Sequence, residues 1–392
     1  MERIGIFGGT FNPPHIGHIR AAVRGAEALG LDRVLIIPAR QVPGKQIPAD
    51  SPTPEQRLEM VRLAAAACPN LEVSGLEVNR QEDSYTWQTV LEVKERYPQA
   101  ELVLMVGSDM LLSLPKWQRA EKIVKAATVA VLPRGGRQEK NLLPSGIAAL
   151  EKMGARVTVA ENIPCEISST QLRRLLAFRC ASEFLDPAVE DYIRKNGLYH
   201  TASDWKNLPM DRLEQVVIGL LNPNRVRHVL GCRDTAVELA KRWGADTVDA
   251  ARAGMLHDVT KALDGPLQLT LCRAYGTLLD DFSKKYPKTL HALTGSLVAE
   301  RIFGENKAVV SAIRHHTTGK ADMNVLEAII YVADYMEPNR DFPGVEELRA
   351  LAFSDLQAAL KLGLEMTLVH LKNQGSEVSP ESRQALDWLK RG

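Results

Sequence analysis

The sequence lacks the features that mark membrane, secreted and nucleic-acid-binding proteins. It has no run of about 18 apolar residues that could cross a bilayer, and glycines and prolines stand where a signal peptide needs an apolar stretch. The five cysteines are widely spaced and form no CxxC pair, which indicates reduced thiols in a cytoplasmic protein and excludes a disulfide framework or a zinc knuckle. Lys and Arg number 49 against 48 for Asp and Glu, so no basic excess predicts binding to nucleic acid.

The composition is that of a globular protein large enough for two domains. The chain has 392 residues, of which 45% are hydrophobic and 25% charged, and these values exclude a disordered chain or a coiled coil. The pattern of apolar residues changes near residue 205. We therefore expect a domain over residues 1–200, a linker over 201–209 and a second domain over 210–392.

Short β-branched runs alternate with helical stretches in the first half. Buried strands are predicted over Arg3–Phe7, Arg33–Pro38, Glu101–Val106, Thr128–Leu132 and Arg156–Val159. Helical patterns lie near residues 17–29, 54–67, 86–97 and 143–153. This alternation predicts an α/β fold, a Rossmann-like doubly wound parallel sheet with helices on both faces and ligands at the carboxyl ends of its strands.

The second half is helical in period almost to its end and contains no convincing strand. We expect an all-α bundle with helices near residues 211–221, 226–243, 246–257, 267–275, 289–303, 307–316, 323–336, 353–372 and 380–390.

A glycine turn and two histidines follow the first predicted strand. Gly8 and Gly9 would let backbone N–H groups approach an anion, and a helix predicted to start near His15 adds further donors. His15 and His18 are three residues apart, so both imidazoles lie on one helical face beside that terminus. The alternative, two surface or helix-capping histidines, does not explain the turn and the strand. We therefore predict a phosphate site.

Two further segments could complete such a site. Ser168, Ser169 and Thr170 open a predicted helix with Arg173 in its first turn, which suits either ordinary capping or a triphosphate clamp. Gly107-Ser108-Asp109 follows a strand, where a ribose or a metal-bound phosphate would lie; the alternative is an ordinary turn.

Histidines and aspartates are spread over several helices of the second half. His315 and His316 could both be helix C-caps, and His370 has no partner pattern and suits a structural role. Imidazoles and carboxylates from several helices can nevertheless converge on a metal in a bundle core. The ordered candidates are His228, His257, Asp258, His291, His316 and Asp334.

The strings GGTFNPPHIGH and ISSTQLR resemble the two signatures of the HxGH nucleotidylyltransferase superfamily. With GSDMLLSLPKW between them, residues 3–199 look like bacterial nicotinate-mononucleotide adenylyltransferase. The resemblance implies that His15 and His18 are catalytic, with His18 nearest the reacting phosphorus, and that Mg²⁺ arrives on ATP. The expected ATP-binding residues are Gly8, Gly9, Thr10, Phe11, His15, His18, Gly107, Asp109, Ser168, Ser169, Thr170 and Arg173.

The same resemblance implies a pocket for nicotinate mononucleotide. Thr86 and Trp117 match positions that hold and stack the nicotinate ring, and Lys45 and Arg134 match two basic positions. The loop around Lys45 reads Val-Pro-Gly-Lys where the family usually has Pro-Pro-His-Lys, and Arg134-Gly-Gly replaces Arg-Pro-Gly. These departures concern individual contacts and leave the expected reaction unchanged.

Residues 214–350 resemble the HD-domain metallophosphohydrolases. The strings RVRH, MLHDVTK, LHALTG, IRHHTTG and YVADYMEPNRDFPGV look like the YqeK-like subgroup, which is associated with hydrolysis of diadenosine tetraphosphate to two ADP. The resemblance implies two divalent transition metals, with iron favoured. His228, His257, Asp258 and Asp334 would hold one ion, and Asp258 would bridge to a second ion held by His291 and His316. Asp258 and Lys261 match catalytic positions, and Arg340 matches a phosphate contact.

Together these observations predict a bifunctional enzyme that makes nicotinate adenine dinucleotide and hydrolyses diadenosine tetraphosphate. The alternatives are another acceptor for the first half, such as nicotinamide mononucleotide or phosphopantetheine, and another nucleotide or a sensing role for the second half. The expected partners are small-molecule substrates, and a homo-oligomer is left open.

Overall fold

The computed structural model describes residues 1–44, 48, 50–133, 137–160 and 167–391, and of residues 137–142 the backbone only. The chain forms two compact units, Met1–Ser203 and Asp204–Gly392. No helix of the described ranges is long and apolar enough to cross a membrane.

The first unit contains one six-stranded parallel sheet in the order β3-β2-β1-β4-β5-β6. Its strands are β1 (Arg3–Gly9), β2 (Arg33–Pro38), β3 (Leu71–Val73), β4 (Glu101–Gly107), β5 (Thr128–Leu132) and β6 (Val157–Val159). The short edge strand β3 was not predicted, because three residues carry too little periodicity. The strand order reverses between β1 and β4, which is where open α/β sheets bind ligands.

Helices cover both faces of this sheet, as predicted. They are α1 (Ile16–Leu29), α2 (Pro54–Ala65), α3 (Thr86–Arg96), α4 (Ser108–Leu111), α5 (Ala120–Ala126), α6 (Arg137–Glu151), α7 (Ser169–Ala177) and α8 (Pro187–Lys195). Alternate residues of the central strands enter two separate apolar clusters; in β2, Leu35 and Ile37 lie on one face, and Val34 and Ile36 lie on the other. Burial on both faces explains the continuous apolar runs of the strands.

The second unit has no strand among its described residues, so the predicted all-α fold is confirmed. Its helices are α9 (Met210–Leu220), α10 (Val226–Trp243), α11 (Thr247–Leu256), α12 (Gly265–Ala274), α13 (Asp281–Lys285), α14 (Leu290–Arg301), α15 (Lys307–His315), α16 (Val325–Met336), α17 (Val345–Ser354), α18 (Leu356–Asn373) and α19 (Pro380–Leu389).

The prediction of a single helix over residues 353–372 is wrong, because the helical conformation is interrupted at Asp355. Asp355 has an extended backbone (φ −150°, ψ 97°), and its carboxylate accepts a 3.0 Å hydrogen bond from the N–H of Ala358. The aspartate therefore caps a new helix, α18, instead of continuing α17.

Candidate functional sites

The first candidate site lies where β1 runs into α1. His15 is the N-cap of α1 and is buried, and its backbone N–H donates to Nδ1 of His18 at 3.1 Å. Since Nδ1 accepts this hydrogen bond, the neutral His18 ring carries its proton on Nε2. The imidazole rings of His15 and His18 are in contact, with centroids 3.6 Å apart and planes tilted by 34°, and Phe11 meets His18 edge-on with centroids 5.1 Å apart. His18 is thereby held as a hydrogen-bond donor.

Gly8 keeps the space above this turn open. A Cβ added at Gly8 would find only the carbonyl oxygen of Ile37, at 4.0 Å. Packing within the protein therefore does not demand a glycine here. The missing side chain instead leaves room for a ligand to approach the backbone, as a phosphate site requires.

The second predicted phosphate segment docks directly on the first. Oγ of Ser169 donates to the carbonyl oxygen of Pro13 at 3.2 Å. Nη1 of Arg173 donates to the carbonyl oxygen of Asn12 at 2.8 Å, and its Nη2 donates to Oγ1 of Thr170 at 3.1 Å. Ser168 is the N-cap of α7, so it performs the structural role that sequence reasoning also allowed. The structure thus brings both motifs together.

Gly107 and Asp109 lie at the carboxyl end of β4, the strand that pairs with β1. Gly107 is the N-cap of the short helix α4, and Asp109 is exposed in its first turn. Adjacent parallel strands end at the same sheet edge, so these residues share that edge with Gly8 and Gly9.

Of the four residues expected to bind nicotinate mononucleotide, Thr86 and Trp117 are described, whereas Lys45 and Arg134 lie outside the described residues. Thr86 is the first residue of α3, and Nε1 of Trp117 donates to Oγ of Ser113 at 3.2 Å. The next residue, Trp87, lies under the guanidinium of Arg119, 4.3 Å from the ring centroid. The start of α3 and the segment around Trp117 are therefore neighbours.

Sequence reasoning missed two side chains beneath the first site. Oδ1 of buried Asn12 accepts a 2.7 Å hydrogen bond from the hydroxyl of Tyr199, and Nδ2 of Asn12 donates to Oγ of Ser51 at 3.0 Å. Arg57 is 1% exposed and donates to carbonyl oxygens near the turn. The signal for Tyr199 was its place in the closing segment of the family resemblance; burial of an arginine is not visible in the sequence.

The second candidate site is centred on Asp258, which is fully buried at the end of α11. Its two oxygens face two pairs of imidazoles. Oδ2 lies 3.7 Å from Nε2 of His228 and 3.5 Å from Nε2 of His257. Oδ1 lies 3.5 Å from Nε2 of His291 and 3.7 Å from Nε2 of His316. The carboxylate therefore stands between the two pairs of imidazoles.

Asp334, on α16, joins the first of these pairs. Its Oδ1 lies 3.1 Å from Nε2 of His228 and 4.0 Å from Nε2 of His257. Two groups of three residues each bring their ligand atoms within 4.8 Å of one another. One group is His228, His257 and Asp334, and the other is His257, Asp258 and His316. All six predicted ligands thus converge from five segments of the bundle.

Each of the four imidazoles is oriented by a hydrogen bond at Nδ1. The partners are Glu337 Oε1 at 3.1 Å for His228, Gly254 O at 2.7 Å for His257, Lys288 O at 2.9 Å for His291 and Ile313 O at 2.7 Å for His316. A carbonyl at Nδ1 fixes the proton there and leaves the lone pair on Nε2, as metal-binding histidines require. Sequence reasoning missed Glu337, which is buried and supports His228.

The donor set fits a cation. Oδ1 of Asp258 and Nε2 of His316 are buried without a hydrogen-bond partner among the described atoms, an arrangement that is costly unless a cation completes it. Burial alone would raise the pKa of Asp258, but His257 and His316 outweigh it and hold the pKa well below its usual range. Burial lowers the pKa of His316 and, with Lys261, that of His291 to about 3. Burial alone would lower the pKa of His257 as well, but Cys232 and Asp258 outweigh it and hold the pKa well above its usual range, so a cation at Nε2 would displace a proton from that ring. The charged carboxylate of Asp258 and the neutral rings of His291 and His316 are already in the forms that bind a metal.

Three cationic side chains surround these ligands. Nε of Arg225, which sequence reasoning missed, donates to Oδ2 of Asp258 at 2.7 Å. Nζ of Lys261 lies 2.7 Å from Nε2 of His291. Nη2 of Arg340 donates to Oδ1 of Asp334 at 2.6 Å. These cations could bind substrate phosphates beside the cluster.

His315 and His370, which are not among the predicted metal ligands, lie apart from the cluster. Nδ1 of His315 contacts the carbonyl oxygen of Ser311 at 2.9 Å, and His370 contacts Gln374 on the exposed side of α18.

Comparison with known proteins assigns each half. A cytidylyltransferase-like family model matches residues 6–175, and the HD-domain model matches residues 225–339. A probable nicotinate-nucleotide adenylyltransferase of Aeromonas salmonicida is 39% identical over 210 residues, which are 50% of this chain and 96% of that protein. The symmetrical bis(5'-nucleosyl)-tetraphosphatase of Bacillus subtilis is 38% identical over 175 residues, 44% of this chain and 92% of that protein.

One relative matches both halves together. A probable nicotinate-nucleotide adenylyltransferase/Ap4A hydrolase of Mycoplasma pneumoniae is 29% identical over 378 residues, which cover 94% of this chain and 100% of that protein. The chain therefore belongs to the nicotinate-nucleotide adenylyltransferase family in its cytidylyltransferase-like half and to the symmetrical bis(5'-nucleosyl)-tetraphosphatase family in its HD-domain half.

Proposed function

We propose that the first unit transfers the adenylyl group of ATP to nicotinate mononucleotide. A phosphate oxygen of the mononucleotide attacks the α-phosphorus of ATP, and the bond from that phosphorus to the pyrophosphate oxygen breaks. The products are nicotinate adenine dinucleotide and pyrophosphate. The observation that carries this proposal is the contact between the start of α7 and the turn before α1. Ser169 and Arg173 of α7 donate hydrogen bonds to backbone carbonyl oxygens of that turn.

Such a reaction needs alignment and charge neutralisation and no covalent intermediate. His18 donates from Nε2 to the α-phosphate as charge develops, and His15 lies beside it at the helix terminus. Arg173 and the hydroxyls of Ser169 and Thr170 bind the outer phosphates. Mg²⁺ that accompanies ATP supplies further charge neutralisation. Thr86 and Trp117 hold the nicotinate ring.

The test is dinucleotide formation by the full chain and by His18→Ala. Removal of one transition-state donor should lower kcat by roughly 10²-fold, while the hydrolase of the same polypeptide remains active as an internal control. A near-normal rate would contradict the role of His18. Parallel assays with nicotinamide mononucleotide and phosphopantetheine identify the acceptor, and a preference for either would replace nicotinate mononucleotide.

We further propose that the second unit hydrolyses diadenosine tetraphosphate symmetrically to two ADP. The observation that carries this proposal is the position of Asp258 between two pairs of imidazoles. When bound, a pair of divalent ions would acidify a water and stabilise the leaving phosphate oxygen. His228, His257, Asp258 and Asp334 would hold one ion; Asp258, His291 and His316 would hold the other.

The surrounding cations bind the polyphosphate. Lys261, Arg225 and Arg340 lie against the ligand carboxylates and imidazoles, at the edge of the cluster where phosphate oxygens would arrive. Imidazole and carboxylate donors suit iron, manganese, cobalt or zinc. Iron is our choice among these, on the family resemblance.

The test is product analysis after loading the protein with each of the four metals. Symmetrical cleavage yields ADP alone, whereas asymmetrical cleavage yields AMP and ATP. His291→Ala should remove hydrolysis and leave dinucleotide synthesis unchanged. If the metal-loaded wild type leaves diadenosine tetraphosphate intact, the substrate assignment is wrong, and a panel of other nucleotides then distinguishes another hydrolase from a sensing module.

A further inference from the structure

Among the described residues, the largest fully buried side chain is a cation that has no acidic partner there. Arg57 lies in the first turn of α2 and is 1% exposed. Nη1 donates to the carbonyl oxygens of Thr10 and Ala39, each at 2.7 Å, and Nη2 donates to that of Arg40 at 2.7 Å. A buried charge is expensive, so this arrangement calls for an explanation beyond packing.

The three acceptors belong to two loops that meet at the proposed active edge. Thr10 follows β1 in the turn that leads to the catalytic histidines, whereas Ala39 and Arg40 follow β2. The N–H of Ala39 also donates to the carbonyl oxygen of Gly9 at 2.8 Å. Through these hydrogen bonds, the guanidinium holds the first residues after β1 and after β2 against helix α2.

The charge of Arg57 is not neutralised by its surroundings. Nε has no hydrogen-bond partner within the described part of the chain. Glu55, whose charge favours the guanidinium, is solvent-exposed and lies 3.9 Å from Arg40. The other nearby group is Tyr199, and burial raises the pKa of that phenol, which keeps it neutral. A positive charge thus remains beneath the turn.

We propose that Arg57 is a positioning residue for adenylyl transfer: its buried guanidinium fixes the loops after β1 and β2 and places uncompensated positive charge beneath the phosphate-binding turn. The inference rests on the proposed adenylyl transfer and deepens it. The three carbonyl oxygens are held against the guanidinium, and the uncompensated charge favours the triphosphate of ATP electrostatically.

The experiment compares Arg57→Gln, Arg57→Lys and the control Arg62→Gln in the full chain. Arg62 lies in the same helix, is exposed and pairs only with Glu59 among the described residues. Arg57→Gln should lower kcat/KM for ATP by about 10²-fold and weaken binding of a non-hydrolysable ATP analogue in calorimetry. Arg57→Lys, which keeps the charge, should recover part of the analogue affinity. Arg62→Gln and the hydrolase should be unaffected.

Wild-type kinetics and analogue affinity in a folded Arg57→Gln protein would overturn the proposal, and equal affinities for the Lys and Gln variants would overturn its electrostatic part. If Arg57→Gln does not fold, Arg57→Ala assayed with millimolar guanidinium ion decides: recovery of dinucleotide synthesis supports the proposal, and no recovery contradicts it. Analogue binding remains a readout even if nicotinate mononucleotide proves to be the wrong acceptor, so the two failures are distinguishable.

Discussion

The hydroxyl of Tyr199 donates a 2.7 Å hydrogen bond to Oδ1 of Asn12, and both side chains are buried. The bond joins the last segment of the first unit to the turn that carries the proposed catalytic histidines, 187 residues earlier in the chain. Burial raises the pKa of Tyr199, so the phenol remains a donor at every physiological pH.

Tyr199→Phe should therefore weaken both stability and ATP binding. The substitution leaves Oδ1 of Asn12 buried without its donor, which costs about 1–3 kcal/mol, and it frees the turn before α1. Thermal unfolding and KM for ATP are the measurements. Tyr192→Phe is the matched control, since Tyr192 lies in the same closing segment and its hydroxyl makes no hydrogen bond within the described ranges. Equal behaviour of the two variants would contradict the account.

Several features of the fold could be predicted from the sequence because they depend on local patterns. Strands such as Arg33–Pro38 are buried on both faces and read as continuous apolar runs. The strand β3 and the helix break at Asp355 were missed, since a three-residue edge strand has no period and an aspartate inside an apolar pattern resembles an exposed helical position.

The candidate sites were predictable only where short motifs carry the chemistry. The positions of His18 and Asp258 follow from such motifs. Arg57, Arg225 and Glu337 were missed, because an arginine or glutamate in a polar stretch is usually solvated. Only tertiary packing brings Arg57 to the backbone carbonyl oxygens that it contacts, Arg225 to Asp258 and Glu337 to His228.

Gly231 provides a test of the support behind His228. A Cβ at Gly231 would lie 2.4 Å from Oε2 of Glu337, the carboxylate whose other oxygen contacts Nδ1 of His228. Gly231→Ala should displace that carboxylate and weaken metal binding by about 10–100-fold, with little change in thermal stability. Competition with a chelator measures the affinity.

Gly219→Ala is the control, because a methyl group at Gly219 meets no atom within 4 Å. Unchanged metal affinity in Gly231→Ala would show that Glu337 does not orient the histidine.

Glu327 makes the second unit sensitive to acid. Burial alone would raise its pKa, but hydrogen bonds from His315, Ser311 and Lys320 outweigh it and lower the pKa to about 2. The folded-state pKa is depressed, so the stabilisation is complete above the unfolded value near 4.5 and is lost as the pH falls toward 2.

Glu327→Gln removes this titration. Between pH 4.5 and 2, the free energy of unfolding of the wild type should fall more steeply with decreasing pH than that of the variant. The two slopes should differ by at most the amount that corresponds to the uptake of one proton on unfolding. Urea unfolding at a series of pH values measures it. Parallel pH profiles for the two proteins would refute the assignment.

The segment before α9 forms part of the second unit. The ring of Trp205 stacks on Phe303 with centroids 5.6 Å apart, and Nη1 of Arg252 donates to the carbonyl oxygen of Leu208 at 2.7 Å. A fragment of residues 210–392 should therefore unfold roughly 5–10 °C below a fragment of residues 204–392. A fragment that begins at residue 200 should gain nothing further. Identical unfolding temperatures for all three would show that the segment is only a linker.

The central claim is that Asp258 serves two metal ions at once. Its oxygens face separate pairs of imidazoles at 3.5–3.7 Å. Loss of a shared carboxylate removes the anion between two cations, whereas loss of a single imidazole removes one ligand from one ion.

The most direct measurement is elemental analysis of the purified wild type, Asp258→Ala and His291→Ala, with His370→Ala as a control on an exposed histidine. The account predicts two metal ions per chain in the wild type and the control, partial loss in His291→Ala and loss of nearly all metal and hydrolysis in Asp258→Ala. Dinucleotide synthesis should be intact in all four proteins. Two ions per chain and normal hydrolysis in Asp258→Ala would contradict the bridging carboxylate.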